Sequence, residues 1–242
     1  MSGVDRMRVS ALIAGAGKSV RFAGDTESSS EEHRKQFQHL GQEPLIFVTL
    51  QPFVESSSID SILVAVPPNT VEWMEEMVKS RGFEKEVKVI PGGRERQDTV
   101  WQGLKEVAHS CDVIVVHDGV RPFFKGRWIR ETVDLCSNFD GAIVAVHATD
   151  TLKRVKNETI LETLSRGEIW QAQTPQTFNV DVLVAGYEHA LSLGLRCTDE
   201  AQLVELNGGR IAIVEGSPQN IKITRSEDWK LAESIWHGMN RD

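Results

Sequence analysis

Short apolar runs alternate with amphipathic segments over the first 147 residues of this chain. Five runs are rich in β-branched residues, which is typical of strands buried on both faces. They span residues 9–14, 62–66, 87–90, 113–117 and 142–147. Between them, apolar residues recur at helical spacing over residues 44–54, 71–80, 97–109 and 125–137. The alternation predicts repeated βα units, and therefore a mostly parallel sheet flanked by helices.

Residues 148–167 interrupt this rhythm. Two strand patterns, 151–155 and 159–164, are joined around 156–158 and predict a hairpin. It could be an ordinary surface hairpin or an arm that contacts a partner. Beyond it the pattern predicts helices over 180–193 and from Asp199, a strand over 211–214 and a helix from Ser226. We find no internal repeat, so residues 1–242 are expected to form a single domain with 148–167 as a protruding β-arm.

Composition narrows the class of function. The 242 residues are 40% hydrophobic and 26% charged, which excludes disordered and low-complexity proteins. With 27 Lys and Arg against 35 Asp and Glu, the net charge is −8, a poor field for binding nucleic acid or an anionic membrane. The three cysteines are widely spaced, and no run reaches the roughly 18 apolar residues of a membrane span. A cytoplasmic protein with small-molecule ligands is expected.

A glycine-rich turn directly follows the first strand. Gly15, Ala16 and Gly17 fail the P-loop spacing, because Leu12 occupies a required glycine position. They also fail the dinucleotide fingerprint, which needs a small residue where Val20 stands. What remains is either a plain strand-to-helix turn or a turn whose backbone N–H groups cradle phosphates. Residues 24–34, farther along, are polar and predict a loop.

Two further features follow predicted strands. Gly92 and Gly93 form a second glycine turn before Thr99, and they either touch a nucleotide or simply shape the turn. Asp118, which precedes Gly119, could hold a divalent cation with its phosphates, or it could cap the loop. Because ligands of parallel sheets bind at the carboxyl ends of strands, these features are expected to meet.

Six cations in irregular segments complete the candidates. They are Arg21, Lys35, Lys153, Arg154, Arg166 and Lys222. Singly, each is typical of a solvated surface charge. Together with the glycine turns they suit nucleotidyl transfer, where a protein mainly positions groups and neutralises phosphate charge.

The ordered motifs resemble those of the cytidylyltransferases with the sugar-nucleotide pyrophosphorylase fold. The early motifs are Gly15-x-Gly17 with Arg21, Lys35-Gln36-Phe37 and Gly92-Gly93-x-x-Arg96-x-x-Thr99-Val100. The later motifs resemble the 2-C-methyl-D-erythritol 4-phosphate cytidylyltransferase family in particular. They are His117-Asp118-x-x-Arg121-Pro122, Asp150-Thr151-Leu152-Lys153-Arg154, Arg166, Thr174-Pro175-Gln176, Thr198-Asp199-Glu200 and Asn220-Ile221-Lys222-Ile223-Thr224. The resemblance runs in order from about Val9 to Ala232.

This resemblance implies a Rossmann-like nucleotidyltransferase fold and a reaction. CTP and methylerythritol phosphate would give the CDP-linked alcohol and pyrophosphate, with Mg²⁺ as cofactor, in non-mevalonate isoprenoid synthesis. It also implies a homodimer in which the 148–167 arm crosses to the partner. A phosphate monoester is already a dianion near neutral pH, so this chemistry needs no general base.

The resemblance also implies residue roles. Arg21 and Lys35 would stabilise charge on the CTP α-phosphate, and Arg166 and Lys222 would place the substrate phosphate, with Arg166 serving the neighbouring subunit. The metal and substrate side would comprise Asp118, Arg121, Thr151 and Thr198, with Asp118 at the metal. The CTP side would comprise Gly15, Ala16, Gly17, Gly93 and Thr99.

Three alternatives stay open at this point. A cytidylyltransferase for another polyol phosphate, such as ribitol 5-phosphate, would share the nucleotide half. An NAD-dependent oxidoreductase would need the fingerprint that Val20 breaks. A non-catalytic nucleotide-binding module is suggested by Ser19, which stands where the family usually has glycine.

Overall fold

A computed structural model describes residues 6–17 and 35–239. Arg21, Ser19 and the loop expected over 24–34 lie outside these residues. The strands in the described part are β1 (Val9–Ala14), β2 (His39–Leu40), β3 (Glu43–Pro44), β4 (Ser61–Val66), β5 (Glu86–Pro91), β6 (Val113–Asp118), β7 (Gly141–His147), β8 (Lys153–Lys156), β9 (Thr159–Thr163), β10 (Trp170–Asn179) and β11 (Ile211–Glu215). The α-helices there are α1 (Leu45–Glu55), α2 (Val71–Arg81), α3 (Arg96–Val107), α4 (Arg127–Leu135), α5 (Val180–Ser192), α6 (Glu200–Leu206) and α7 (Ser226–Met239). None of these helices is long and apolar enough to cross a bilayer.

Seven of these strands form the main sheet, in the order β11-β7-β10-β6-β1-β4-β5. β1 pairs in parallel with β4 and β6, and β11 pairs in parallel with β7. β10 alone among these seven is antiparallel to its neighbours, β6 and β7. The predicted mostly parallel α/β sheet is confirmed, and its six co-directional strands place their carboxyl ends at one edge.

The sequence pattern did not predict β10. Its residues are mostly polar, and Pro175 lies within the register shift between Ala172 and Gln176. Proline cannot donate a ladder hydrogen bond, so it is tolerated in a sheet where pairing is irregular.

Alternate residues of β1 face two apolar layers, as strand geometry requires. Ala11 and Ile13 pack into the layer that contains Phe53 of α1 and Trp128 of α4. Leu12 packs into the opposite layer, which contains residues of α3 and α5. The sheet is therefore covered on both faces, which is why its strands are continuous apolar runs.

A third apolar cluster lies apart from these two layers. It joins Leu40 of β2 and Ala232 of α7 to Ile223, and Trp236 packs against it. Gly41 has a φ of +69°, and a Cβ atom there would lie 2.5 Å from the Trp236 indole. The β2–β3 turn therefore requires glycine both for its conformation and for the close approach of α7.

The predicted hairpin is present as β8 and β9. Asn157 and Glu158 at its tip have positive φ angles of 49° and 61°, which match the two-residue turns favoured between antiparallel strands. Every residue of both strands is exposed. The hairpin forms a two-stranded sheet of its own, paired to no other described strand.

Candidate active site

A cavity of about 240 Å³ opens at the carboxyl ends of β1 and β6. The residues around it come from the first glycine turn, from the start of α3 and from distant parts of the chain. They are Ala14, Gly15, Ala16, Gly17, Lys35, Gln36, Arg96, Thr99, Asp118, Val120, Lys222 and Thr224. The fold thus brings together most of the residues that the sequence predicted for the nucleotide side.

The two glycine turns pack directly against each other. The Gly15 N–H donates to the Ala65 carbonyl at 2.8 Å, and the Gly92 N–H donates to the Val66 carbonyl at 2.8 Å. A Cβ atom on Gly92 would lie 2.1 Å from the Cβ of Ala16, a distance that no side chain can adopt. Gly92 is therefore required by the close approach of the two turns.

Thr99 shapes the second turn. Its hydroxyl accepts a hydrogen bond from the Gly93 N–H at 3.0 Å and donates one to the Glu95 carbonyl at 3.0 Å. Glu95 and Asp98 form a capping box at the start of α3. These bonds fix the path of the second turn, which packs against the first glycine turn.

Gln36 ties the segment carrying Lys35 to the first glycine turn. Its side chain is 1% exposed, and its Nε2 donates to the Gly15 carbonyl at 3.0 Å. Lys35 begins a short 3₁₀ helix whose Phe37 packs edge-on against Trp73. The cation at position 35 is thus held at the rim of the cavity by buried contacts.

Asp118 is the centre of a charged network. Its Oδ1 lies 2.8 Å from Arg96 Nε, while its Oδ2 lies 2.9 Å from Lys222 Nζ and 3.2 Å from Arg121 Nε. Burial disfavours the Asp118 carboxylate, but the three cations, Arg96 foremost, outweigh it and hold its pKa well below the usual value. Asp118 therefore stays ionised and aligns three cations at the cavity.

A second cavity, of about 200 Å³, adjoins the first and shares Arg96, Asp118 and Lys222 with it. Its other lining residues are Arg121, Ala172, Gln173, Thr174, Gln176, Thr198 and Asp199. The predicted substrate residues Arg121 and Thr198 therefore line the second cavity and not the first. The arrangement can hold one anionic group in each cavity, with the shared cations Arg96 and Lys222 between them.

Asn220 braces this second cavity. It is fully buried, and its Nδ2 donates to the Gln173 Oε1 at 3.1 Å and to the Thr174 carbonyl at 2.9 Å. The backbone carbonyl of Asn220 accepts a hydrogen bond from Arg121 Nη1 at 2.7 Å. The chain that precedes Lys222 is thereby tied to β10 and to Arg121.

His117 has a structural position beside Asp118. It is fully buried, its ring lies 4.2 Å from that of Phe124, and its Nε2 lies 3.0 Å from the Arg121 carbonyl oxygen. Burial lowers the pKa of His117 to about 3. The ring is therefore neutral at physiological pH, and it supports the loop that carries Arg121.

Three predicted site residues in the described part of the chain line neither cavity. Gly93 lies behind the first cavity, where its N–H donates to Thr99. The other two belong to the arm. Thr151 and Arg166 are exposed at the base of the arm, and neither is among the described residues that line either cavity. Arg166 Nη1 donates to the Thr149 carbonyl at 3.1 Å.

Arg96 and Glu200 are site residues to which the sequence alone gives no role, although both lie within motifs that carry the family resemblance. Arg96 Nη1 lies 2.8 Å from Glu200, whose side chain is only 1% exposed. One signal was available: a cation in the first turn of a helix opposes the helix dipole, so Arg96 requires nearby anions.

Comparisons with known proteins agree with this geometry. Residues 9–237 match the family model for 2-C-methyl-D-erythritol 4-phosphate cytidylyltransferase. The enzyme of that name from Geotalea uraniireducens is 38% identical over 239 residues, covering 98% of this chain and 100% of the relative. The one from Clostridioides difficile is 36% identical over 220 residues, covering 91% and 93%.

Solved structures give the same result. The 2-C-methyl-D-erythritol 4-phosphate cytidylyltransferase of Thermus thermophilus superposes with a TM-score of 0.73 at 28% identity, covering 96% of this chain and 100% of that one. The fold of 4-diphosphocytidyl-2C-methyl-D-erythritol synthase from Anaerococcus prevotii superposes with a TM-score of 0.84 at 24% identity, covering 97% and 98%. The chain therefore belongs to the 2-C-methyl-D-erythritol 4-phosphate cytidylyltransferase family.

Proposed function

We propose that this protein transfers the CMP group of CTP to 2-C-methyl-D-erythritol 4-phosphate, releasing pyrophosphate and forming 4-CDP-2-C-methyl-D-erythritol. The reaction belongs to non-mevalonate isoprenoid synthesis. The observation that carries the proposal is the pair of adjoining cavities that share Arg96, Asp118 and Lys222 in a chain of this family. One cavity is bordered by the first glycine turn, whose backbone N–H groups suit a nucleotide, and the other is open to a phosphorylated alcohol.

The transfer is an in-line displacement at the α-phosphorus of CTP. An oxygen of the alcohol phosphate forms a bond to that phosphorus, and the bond to the β-phosphate oxygen breaks with its electron pair leaving on pyrophosphate. The attacking phosphate is a dianion near neutral pH, so its nucleophilicity needs no protein base. Cations that hold the two anions together and neutralise the charge of the transition state supply the catalysis.

The proposed roles follow the placement of the cations. Lys35, on the nucleotide side, would stabilise the α-phosphate together with Arg21, which lies outside the described residues. Lys222, where the cavities meet, would place the attacking phosphate. On the CTP side, Gly15, Ala16, Gly17, Gly93 and Thr99 would form the nucleotide-facing turns, and Arg121 and Thr198 would contact the alcohol phosphate.

Magnesium is part of the proposal, as a partner of the triphosphate. Among the described residues no three potential ligands of the His, Cys, Asp or Glu type cluster together, and Asp118 is the acidic residue that lines both cavities. Mg²⁺ commonly binds through one or two carboxylates and substrate phosphates, so this donor set fits an ion held mainly by CTP with Asp118 nearby. When bound, the ion would neutralise triphosphate charge and favour departure of pyrophosphate.

The proposal includes a homodimer formed through the 148–167 arm. Val155, Ile160 and Leu161 on the arm are 55%, 59% and 58% exposed, so the arm presents apolar surface that a second copy could cover. Thr151 and Arg166, which line neither cavity of their own chain, would then contribute to the partner's site. A cytoplasmic location completes the proposal, supported by the wide spacing of the three cysteines.

Incubating the purified protein with CTP, methylerythritol phosphate and Mg²⁺ tests the activity. Pyrophosphate and the CDP-linked alcohol should appear in equal amounts, with kcat/KM higher than for ribitol 5-phosphate. A higher kcat/KM for ribitol 5-phosphate would assign a different polyol substrate. Absence of pyrophosphate release at saturating concentrations of both alcohols would contradict the proposed reaction.

A further inference from the structure

A second buried carboxylate, that of Glu200, contacts Arg96 and lines neither cavity. Glu200, at the first turn of α6, is 1% exposed. Arg96 lies between the two acids: its Nε contacts Asp118 Oδ1 at 2.8 Å, and its Nη1 contacts Glu200 at 2.8 Å. One guanidinium therefore bridges the acid at the site and the acid behind it.

The contact with Glu200 combines a hydrogen bond with an ion pair: Oε1 accepts from Arg96 Nη1, whereas Oε2 is within ion-pair distance but accepts no hydrogen bond from the described residues. Arg96 Nη1 lies 2.8 Å from Oε1 and also 2.8 Å from Oε2. Oε1 in addition accepts a hydrogen bond from the Tyr187 hydroxyl at 3.2 Å. Tyr187 is fully buried and stacks on Trp101 with ring centroids 5.1 Å apart, so the outer end of this chain of contacts is anchored in the core.

The charges explain why a buried acid is needed here. Arg96 is in the first turn of α3, where the helix dipole disfavours a cation, and its side chain is only 27% exposed. Asp118 must balance Arg121 and Lys222 as well as Arg96. Glu200 brings the five-residue network to a net charge of +1, the sum of three cations and two carboxylates. Its charge keeps Arg96 in place without adding an anion at the cavity wall.

We propose that Glu200, supported by Tyr187, is a positioning residue that acts through Arg96. By fixing the guanidinium, it sets the orientation of the Asp118 carboxylate and, through that carboxylate, the place of Lys222 between the two substrates. The proposal deepens the proposed function, and rests on it, because its kinetic readout is CMP transfer.

The Glu200→Gln variant is the sharpest test, because it keeps the shape of the side chain while removing its negative charge. Either orientation of the new amide places an NH₂ group where an oxygen now lies 2.8 Å from Arg96 Nη1, so two donors oppose each other. We expect kcat to fall about 10- to 100-fold, since small displacements of positioning groups have effects of this size. KM for CTP should change less than about threefold, because the glycine turns are untouched.

Tyr187→Phe removes only the outer hydroxyl and should lower kcat less than Glu200→Gln does. The matched control is Thr132→Val, which removes a buried hydroxyl that contacts Thr177 at 2.7 Å on the other face of the sheet. The control should lower the melting temperature yet keep the kcat of the unmodified protein. A fall in kcat of the same size in the control would mean that stability alone explains the losses.

A double variant tests whether Glu200 acts through Arg96. If it does, Arg96→Ala with Glu200→Gln should have the same kcat as Arg96→Ala alone, because the second change has nothing left to disturb. Multiplicative losses, or unchanged kinetics in Glu200→Gln, would overturn the proposal.

A crystal structure of Glu200→Gln separates this proposal from the proposed function, since it needs no turnover. The Arg96 Nε to Asp118 Oδ1 contact should lengthen beyond hydrogen-bond distance. If the contact persists at 2.8 Å, Glu200 does not position Arg96, whichever substrate the protein uses. If the unmodified protein releases no pyrophosphate while the contact is lost in the variant, the proposed reaction fails and the positioning role stands.

Discussion

Around Asp118 the charged side chains are partly or fully buried and converge on one carboxylate of the same chain, whereas along β8 and β9 every residue is exposed. Asp118 has its orientation set by contacts from α3, from its own loop and from the chain before α7. The Arg166 side chain, by contrast, makes one described hydrogen bond, to the Thr149 backbone carbonyl.

The difference shows which part of the site a single chain can form by itself. The two adjoining cavities are preorganised, so their cations need little rearrangement when substrates bind. An isolated two-stranded hairpin with apolar residues facing water is only marginally stable. We therefore expect the arm to be stabilised, and Arg166 to reach a substrate, only when a second copy packs against it.

Mixing two inactive variants is the strongest way to break this comparison. Arg166→Ala and Lys222→Ala should each lower kcat/KM more than about 100-fold, as expected for lost contacts to a transferring phosphate. Half of the dimers in an equal mixture would contain both chains, and each would have one intact site, so about a quarter of the unmodified activity should return. Activity is measured by pyrophosphate release after subunit exchange has been verified by mass spectrometry. No recovery would place Arg166 in its own chain's site.

Charging the arm should separate assembly from folding. In Ile160→Asp, the dimer should dissociate at least about tenfold more readily, because a carboxylate would have to be buried against the partner. Leu231→Asp, at a residue of α7 that is 50% exposed, is the matched control and should leave the mass unchanged. Analytical ultracentrifugation reports the masses. A dimer of unchanged strength in Ile160→Asp would show that the arm is an ordinary surface hairpin.

The surroundings of Asp118, unlike the arm, should make the free energy of unfolding depend on pH, through the buried His117. Because His117 has a folded pKa of about 3, the unfolded chain binds more protons than the folded one between about pH 6.5 and pH 3. Its contribution is therefore present above about pH 6.5, and the free energy of unfolding should fall by up to about 1.4 kcal/mol per pH unit below it.

Urea denaturation between about pH 4.5 and 6.5, at fixed protein concentration, measures this slope above the range where Asp118 titrates. His117→Gln keeps a group that can donate to the Arg121 carbonyl but removes the titration, so its slope should be flatter. An equal slope in both proteins would assign the pH dependence to other groups.

The strands that could be predicted from the sequence are those surrounded by apolar side chains along their whole length. β1, β4 and β6 are covered on both faces, so they appear in the sequence as unbroken apolar runs. β10 is equally central, but it borders the second cavity, and its buried Gln173, Thr174 and Gln176 carry polar groups for the site and its supporting bonds. Because these polar residues serve the site, β10 lacks the apolar pattern by which the other central strands can be predicted.

The site was predictable where it follows local rules. Glycine turns and an acid at strand ends are visible in a short window of sequence, and the structure brings Gly15, Gly93 and Asp118 to one sheet edge. The bridge from Arg96 to Glu200 joins residues 104 positions apart, so no local pattern marks it. The partner of Arg166 cannot be read from one chain at all, because it would belong to another molecule.

The cluster that joins α7 to the β2–β3 turn has a practical consequence for protein engineering. It supports Ile223 beside Lys222, and Leu40 a few residues after Lys35, so it anchors two stretches of chain from opposite ends of the sequence. Shortening α7 would leave the two layers over the sheet intact while loosening both stretches. α7 is thus a poor place for truncation or a rigidly fused tag, although none of its residues lines either cavity.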